Sequence, residues 1–310
     1  MVWLVKIFTN QTNREICHIL NTGVEIMSNK IAIISDSTGC LSEEMLKEHN
    51  IFTSYLMIIF GKDSYQEFKE ITPAKFVELS AMQEELPTTS QPSPGLIVEL
   101  YENLFNEGYD EIIHVTISSA LSGSYQSAIN AATIVAPEKI HVFDSKTVAF
   151  PQGSLAIQAS ILAKAGKNST EILEELSKLQ KMCLVRATVK TLENLKKGGR
   201  LSNASAVIGG MLQIKPIIAM SEEGKLEAVA KVRTFNKAIQ SLIDFAKEAQ
   251  LTDNYEIGIM HMQNVEDATT LKEAIAEIYP NIKIHVLPLS LVVSAHVGEG
   301  TIGLTWAQNT

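Results

Sequence analysis

The feature that most constrains the fold is a repeated pairing of a short apolar run with a hydroxyl-rich loop. "KIAIISDSTG", "EIIHVTISSALSG" and "KIHVFDSKT" each begin as a continuous apolar strand and end in serine, threonine or aspartate. A helix-like stretch follows each: "LSEEMLKEHN", "SYQSAINAATIVA" and "GSLAIQASILAKAG". Continuous apolar strands are buried on both faces, and strands alternating with helices build a largely parallel sheet covered by helices. "FTSYLMIIF" is expected as a further strand. "TPAKFVELSAMQEEL" and "GLIVELYENLFNEG" are expected as helices, opened by Thr72–Pro73 and Ser93–Pro94 as cap and first position. Ser42 is the expected cap of the first helix.

The pattern changes near Gly166 to Ser169, where Asn168 followed by Glu171 signals a new helix start. Beyond it, strand-like pieces ("CLVRATV", "KPIIAMS", "KLEAVAKVRT", "YEIGIMHM", "IKIHVLPLS") interleave with two long helical stretches. The expected organisation is an α/β parallel-sheet domain over 29–166 and an α+β domain over 167–310. Residues 1–28 have weak periodicity and precede the first convincing strand. They are read as an N-terminal extension, with Met27 a candidate for the native start.

Of 310 residues, 45% are hydrophobic and 20% charged, which fits a globular chain of about two domains. The net charge of −9 argues against broad nucleic-acid binding, which needs a basic face. Cys17, Cys40 and Cys183 are too scattered for a disulfide framework or a zinc site, so a reducing cytoplasm is the expected compartment. No apolar run reaches the roughly 20 residues a spanning helix needs. Nothing calls for a metal or a cofactor.

In an open parallel sheet, ligands bind beyond the carboxyl ends of the strands. Three polar loops leave strands there: Asp36-Ser37-Thr38, Ser118-Ser119 with Ser122, and Asp144-Ser145. "PTTSQPSPG" (Pro87 to Gly95) stands at the entrance of a helix, as does Ser122. Helix starts expose unpaired N–H groups and favour anions, so two hydroxyl-bearing starts aimed at one place form a small anion site without lysine. Taken singly, a serine before a helix is usually only a cap, and an aspartate after a strand only a turn residue.

The C-terminal "SAHVGEGTIG" contains Gly298-x-Gly300-x-x-Gly303. A dinucleotide fingerprint would open a βαβ unit with an acid about 20 residues on, and the chain ends too soon. These glycines instead allow close backbone passage beside His296. "LKKGGRLS" gathers Lys196, Lys197 and Arg200 into a basic spot, and "KVRT" (Lys231, Arg233) into a weaker one.

"SDSTGCL", "TTSQPSPG", "SSALSGSYQSA", "VFDSKT", "LKKGGRLS", "IKPII" and "HVGEGTIG", in this order, resemble the DegV family of bacterial fatty-acid-binding proteins, which includes the binding subunit of the fatty acid kinase system. The resemblance runs from Lys30 to Trp306 and implies two domains with one buried fatty acid. It implies that Thr89, Ser122 and His296 hydrogen-bond the fatty acid carboxylate, with Ser90, Gly123 and Gly298 in support. It also implies that Arg200, with Lys197 and Arg233 nearby in kind, belongs to the surface that meets the kinase's ATP-binding subunit. Two positions depart from the family's habit: Cys40, where Asp is usual, and Glu299, where Pro is usual. The first has little bearing on the expected site; the second puts an acid beside the expected carboxylate site.

A buried carboxylate is tolerated when well hydrogen-bonded. Ile33, Leu56, Ile58, Ile208, Met211, Leu212 and Ile214 are candidates to line an acyl pocket, with "ASAVIGGMLQIKP" as wall or lid. The expected function is a carrier that holds one long-chain fatty acid for phosphorylation by a separate kinase subunit, toward phospholipid synthesis, with no turnover of its own. The alternative is a lipid esterase or thioesterase with Ser122 as nucleophile, His296 as base and Asp36 or Asp144 as orienter. No G-x-S-x-G elbow surrounds any serine.

Overall fold

The computed structural model describes residues 29–83, 85–202 and 214–310. The N-terminal extension and most of the apolar segment proposed as a lid, with Ile208, Met211 and Leu212, lie outside them. No helix among the described residues is long and apolar enough to cross a membrane.

The first sheet is four-stranded and wholly parallel, in the order β2 (Ile51–Ser54), β1 (Ile31–Asp36), β6 (Glu111–Thr116), β7 (Ile140–Asp144). Its apolar runs are buried on both faces, as continuous patterning requires. Helix α1 (Glu43–His49) follows β1, with Ser42 Oγ accepting from the Met45 amide. One face carries α3 (Pro94–Asn106) and α4 (Ser124–Val135), whose Ile97, Tyr101, Ala128 and Ala131 pack on Ala32, Ile34 and Ile112.

The opposite face takes α5 (Phe150–Lys164) and α6 (Ser169–Leu179). Asn168 and Glu171 form the expected capping box at the start of α6. Yet Ile172, Leu176 and Leu179 share a core with Ile33, Ile113 and Leu155. Helix α6 therefore packs with the parallel sheet, although it lies beyond the break expected at 166–169. Its capping box marks a helix start, and a helix start is not a domain boundary.

The second sheet has six strands in the order β10 (Leu226–Val232), β9 (Lys215–Met220), β8 (Leu184–Thr188), β13 (Ile302–Gln308), β11 (Tyr255–His261), β12 (Lys283–Pro288). Only the β11–β12 pair is parallel. Successive side chains of a strand point to opposite faces, and this sheet uses that alternation cleanly. Ile257, Ile259, Ile302, Leu304 and Trp306 face α8 (Phe235–Ala249) and α9 (Val265–Ile278). Met260, Gly303, Thr305, Val185, Ala187 and Ile218 face the other way and line a cavity.

Helix α5 lies between the two sheets. It is buried along most of its length, chiefly through apolar and small residues, with Gln152 accepting from Thr38 Oγ1 and Gln158 donating to Asn309 Oδ1. Gly258 on β11 makes the junction possible, because a Cβ there would meet the Phe150 ring at 2.7 Å.

A third, small sheet completes the fold: β4 (Asp63–Gln66), β3 (Met57–Phe60), β5 (Thr88–Ser90), all antiparallel, with α2 (Pro73–Met82) between β4 and β5. Two expectations change here. "FTSYLMIIF" is two strands, because the chain leaves the parallel sheet after Ser54 and re-enters another at Met57. "TTS" is an edge strand paired with β3 (Ile58 opposite Thr89), not only a proline-stiffened turn.

Candidate functional site

Thr89, on the edge strand β5, and His296, in α10 (Leu291–Val297), are brought together by the third sheet. Thr89 Oγ1 lies 2.7 Å from His296 Nε2. Helix α10 is opened by Ser290, whose Oγ accepts from the Val293 amide. It is closed by Gly298 at φ +78°, a left-handed position glycine takes without strain.

Behind the imidazole stands the turn after α7 (Glu193–Lys197). A Cβ on Gly198 would come within 2.5 Å of His296 Nδ1. The Gly-Gly turn of the basic motif thus serves close approach to the imidazole.

Ser122 lines the same cavity. Its Oγ accepts from the Ser124 amide at 3.2 Å and pairs with Ser124 Oγ at 3.1 Å, at the first turn of α4. Gln91 also lines the cavity, and its amide packs where a side chain at Gly123 would stand. Ser127 Oγ donates to the Pro92 carbonyl at 2.8 Å. These contacts fix the "TTSQPS" stretch against the start of α4, the convergence of two hydroxyl-bearing helix starts expected from the sequence.

Ser90 is at the cavity wall, whereas Gly123 and Gly298 are not: Gly123 faces the Gln91 side chain and Gly298 closes α10. The side chain of Arg200 reaches inward: its Nε donates to the Leu121 carbonyl at 3.1 Å, its Nη1 to Gly198, and it lines the cavity. Lys197 and Arg233 are solvent-exposed. Arg200 therefore puts a fixed positive charge in a site expected from the sequence to hold an anion without lysine. Burial first, and then the Arg200 guanidinium, hold His296 down to about 4. The imidazole is neutral at physiological pH, and the anion-attracting charge near it belongs to Arg200.

From this polar end the cavity runs between the sheets, with about 890 Å³ of empty space including its open mouth. Its walls are chiefly aliphatic: Leu56, Ile117, Val148, Val185, Ile218 and Val292 are among them. Of the wall candidates named from sequence, Leu56 is in place. Ile58 and Ile33 are ordinary core instead, and Ile214 is not at the wall. The sheet face that supplies Val185, Ala187, Ile218 and Met260 was not singled out in the sequence, although its period-2 pattern carries the signal.

The two departures also find their places. Glu299 is exposed, 3.9 Å from Lys190 Nζ, and does not line the cavity. Cys40 matters more than expected. It adopts φ +54°, and its Sγ accepts from the Ser290 amide at 3.3 Å at the head of α10. Burial pushes its thiol up to about 12.

The geometry of the esterase alternative is not assembled. Asp36 is buried, with Oδ1 3.3 Å from His114 Nε2 and Oδ2 accepting from the Ile117 amide at 2.9 Å. Asp144 accepts from the Ser119 and Lys146 amides and the Ser119 hydroxyl. Both aspartates are committed away from His296, and Ser122 is hydrogen-bonded to Ser124.

Comparison with known proteins agrees with the seven ordered motifs. The family model described as "Uncharacterised protein, DegV family" matches residues 30–309. The chain belongs to the DegV family. It is 34% identical over 278 residues to Protein DegV of Bacillus subtilis, covering 89% of this chain and 98% of that protein. A DegV domain-containing protein of Halalkalibacterium halodurans is 35% identical over 278 residues, with the same coverage of 89% and 98%. Among solved structures, DegV of Bacillus subtilis, described as a fatty acid binding protein, superposes with TM-score 0.82 at 33% identity, over 90% of this chain and 99% of that one. A fatty-acid-binding DegV family protein from Thermus thermophilus gives 0.83 at 28% identity, over 90% and 99%. The DegV architecture of a parallel sheet beside a separate sheet unit is thus shared by this chain.

Proposed function

We propose that this protein is a carrier that binds one long-chain fatty acid, its carboxylate at Thr89, Ser122 and His296 and its chain in the aliphatic cavity. The observation that carries the reading is an apolar cavity whose polar residues include the Thr89–His296 pair, Ser122 and Arg200. At ~0.8 kcal/mol per buried methylene, a dozen methylenes supply on the order of 10 kcal/mol. The carboxylate must then be hydrogen-bonded on burial. In the tautomer that carries its proton on Nε2, His296 donates to Thr89 Oγ1 and frees the Thr89 hydroxyl proton for one carboxylate oxygen. Ser122 donates to the carboxylate from the start of α4. Arg200 supplies the nearby positive charge.

The chain has no turnover of its own in this reading. A separate ATP-binding kinase subunit docks near Arg200, Lys197 and Arg233. A carboxylate oxygen attacks the γ-phosphorus of ATP, and acyl phosphate and ADP result. The relatives described as fatty-acid-binding support the ligand class. The kinase step rests on the resemblance of "LKKGGRLS" and its neighbours.

The test is a competition between hexadecanoate and its methyl ester for the delipidated protein. The two share a chain, so the carboxylate clamp predicts displacement of a bound fluorescent fatty acid by the acid at tenfold or more lower concentration. Equal displacement, or hydrolysis of the ester dependent on Ser122, overturns the reading.

A further inference from the structure

Glu67 is a carboxylate with no exposed surface that neither the carboxylate clamp nor the cavity wall uses. Its Oε1 is 2.5 Å from Ser37 Oγ, and its Oε2 accepts from the Val292 amide at 3.1 Å. Ser37 Oγ also accepts from the Leu56 amide at 3.0 Å, and the Glu67 amide donates to the Leu56 carbonyl at 3.0 Å. Leu56 and Val292 both line the cavity. Glu67 thus joins the loop after β1 to the first turn of α10 through its side chain, and reaches the chain entering β3 through its own amide and through Ser37.

Both members of the polar pair stand one step from these anchors. Val292 and His296 are four residues apart on α10, so they share a helix face. Leu56 leads into β3, where Ile58 pairs with Thr89. A shift of α10 against the small sheet changes the separation of Thr89 and His296, and the Glu67 bridge resists that shift.

We propose that Glu67 is a positioning residue, which fixes α10 against the β3–β5 pair and thereby sets the Thr89–His296 hydrogen bond that receives the carboxylate. The inference deepens the carrier reading and rests on it for its consequence in binding. Its geometric half is independent of any ligand. A carboxyl group buried among Ser37, Ser290 and the Leu291 and Val292 amides is pushed up to about 7 by its burial. A Gln at this position can reproduce the protonated form, with its oxygen toward Val292 and its amide toward Ser37.

The experiment follows the imidazole nitrogens of His296 by NMR in the ligand-free full chain, with hexadecanoate binding measured in parallel. Thr89→Val defines the spectrum of the broken pair. Glu67→Gln is expected to keep the wild-type His296 resonances and bind within about threefold of wild type. Glu67→Ala, or Glu67→Asp if the alanine variant does not fold, should move the His296 resonances toward those of Thr89→Val and weaken binding at least tenfold. Ile172→Ala destabilises the distant core of the parallel sheet and should leave the His296 resonances unchanged. Unmoved resonances in folded Glu67→Ala or Glu67→Asp overturn the proposal, as does an equal shift in Ile172→Ala. If the resonances move as expected while wild type binds no hexadecanoate, the positioning stands and the carrier reading fails.

Discussion

Thr89 Oγ1 and His296 Nε2 are 2.7 Å apart although 207 positions separate the two residues in the chain. An edge strand brings one and a seven-residue helix the other. Thr89→Val keeps the volume and removes the hydroxyl. A hydrogen bond to a charged group contributes about 1.5–3 kcal/mol, so hexadecanoate affinity should fall roughly ten- to a hundredfold. Thr89→Ser should retain most of it. Isothermal titration of the three proteins checks both, and unchanged affinity in Thr89→Val removes Thr89 from the site.

Gly198 is predicted to be intolerant of any side chain for a reason local to the site. A methyl group there meets His296 Nδ1 at 2.5 Å, and the ring must turn away from Thr89. Gly198→Ala should weaken fatty-acid binding by about tenfold or more, on the scale of one lost charged hydrogen bond. Its melting temperature should change little, because Gly198 is half-buried in a turn whose neighbours Lys197 and Gly199 are exposed. A binding loss that appears only with general unfolding contradicts the prediction.

The His296 ring is held down to about 4 by burial and by Arg200, so it is neutral in the ligand-free protein near pH 7. A carboxylate placed beside it favours the imidazolium and raises that value. Binding should therefore be accompanied by proton uptake as the pH is lowered toward the bound-state value. Calorimetry in buffers of different ionisation enthalpy reads this directly. Arg200→Met should raise the titration of His296 in the free protein, and NMR titration of the imidazole detects it.

Glu67 and His296 have opposite effects on the pH dependence of stability. Glu67 is raised from 4.5 to about 7 on folding. Its contribution is fully present below pH 4.5 and is lost as pH rises through 7, because the folded state keeps a proton that the unfolded state gives up. His296 is lowered from 6.5 to about 4. Its contribution is present above pH 6.5 and is lost as pH falls toward 4. Denaturant melts from pH 4 to 8 should show the stability of Glu67→Gln rising relative to wild type as pH goes from 4.5 to 7, because the variant lacks the Glu67 loss and keeps the opposing His296 gain. An unchanged profile in that variant places the titrating group elsewhere.

Much of the scaffold could be read before the structure, for reasons local to the chain. Caps are determined by neighbouring residues, and Ser42, Thr72, Ser93 and Asn168 all accept the amides their positions imply. The runs of β1, β6 and β7 are apolar on both faces and announce a buried parallel sheet. What could not be read depends on long-range packing. The break at Tyr55–Leu56 carries no turn signal, because its cause is a change of sheet. "DSYQ" is an edge strand with no apolar alternation, so the sequence carries no signal for β4. The inward reach of Arg200 depends on the Leu121 carbonyl, which lies 79 positions away. Cys40 and Glu67 meet at the head of α10 only because three separate loops converge there.

Whether the cavity holds a fatty acid is tested most directly by denaturing the purified full chain, extracting it with organic solvent and quantifying the extract by mass spectrometry. The account predicts one long-chain fatty acid per chain, either as purified or after incubation with a fatty-acid mixture, and a marked loss in His296→Ala. No stoichiometric fatty acid in the wild-type extract, even after that incubation, contradicts it.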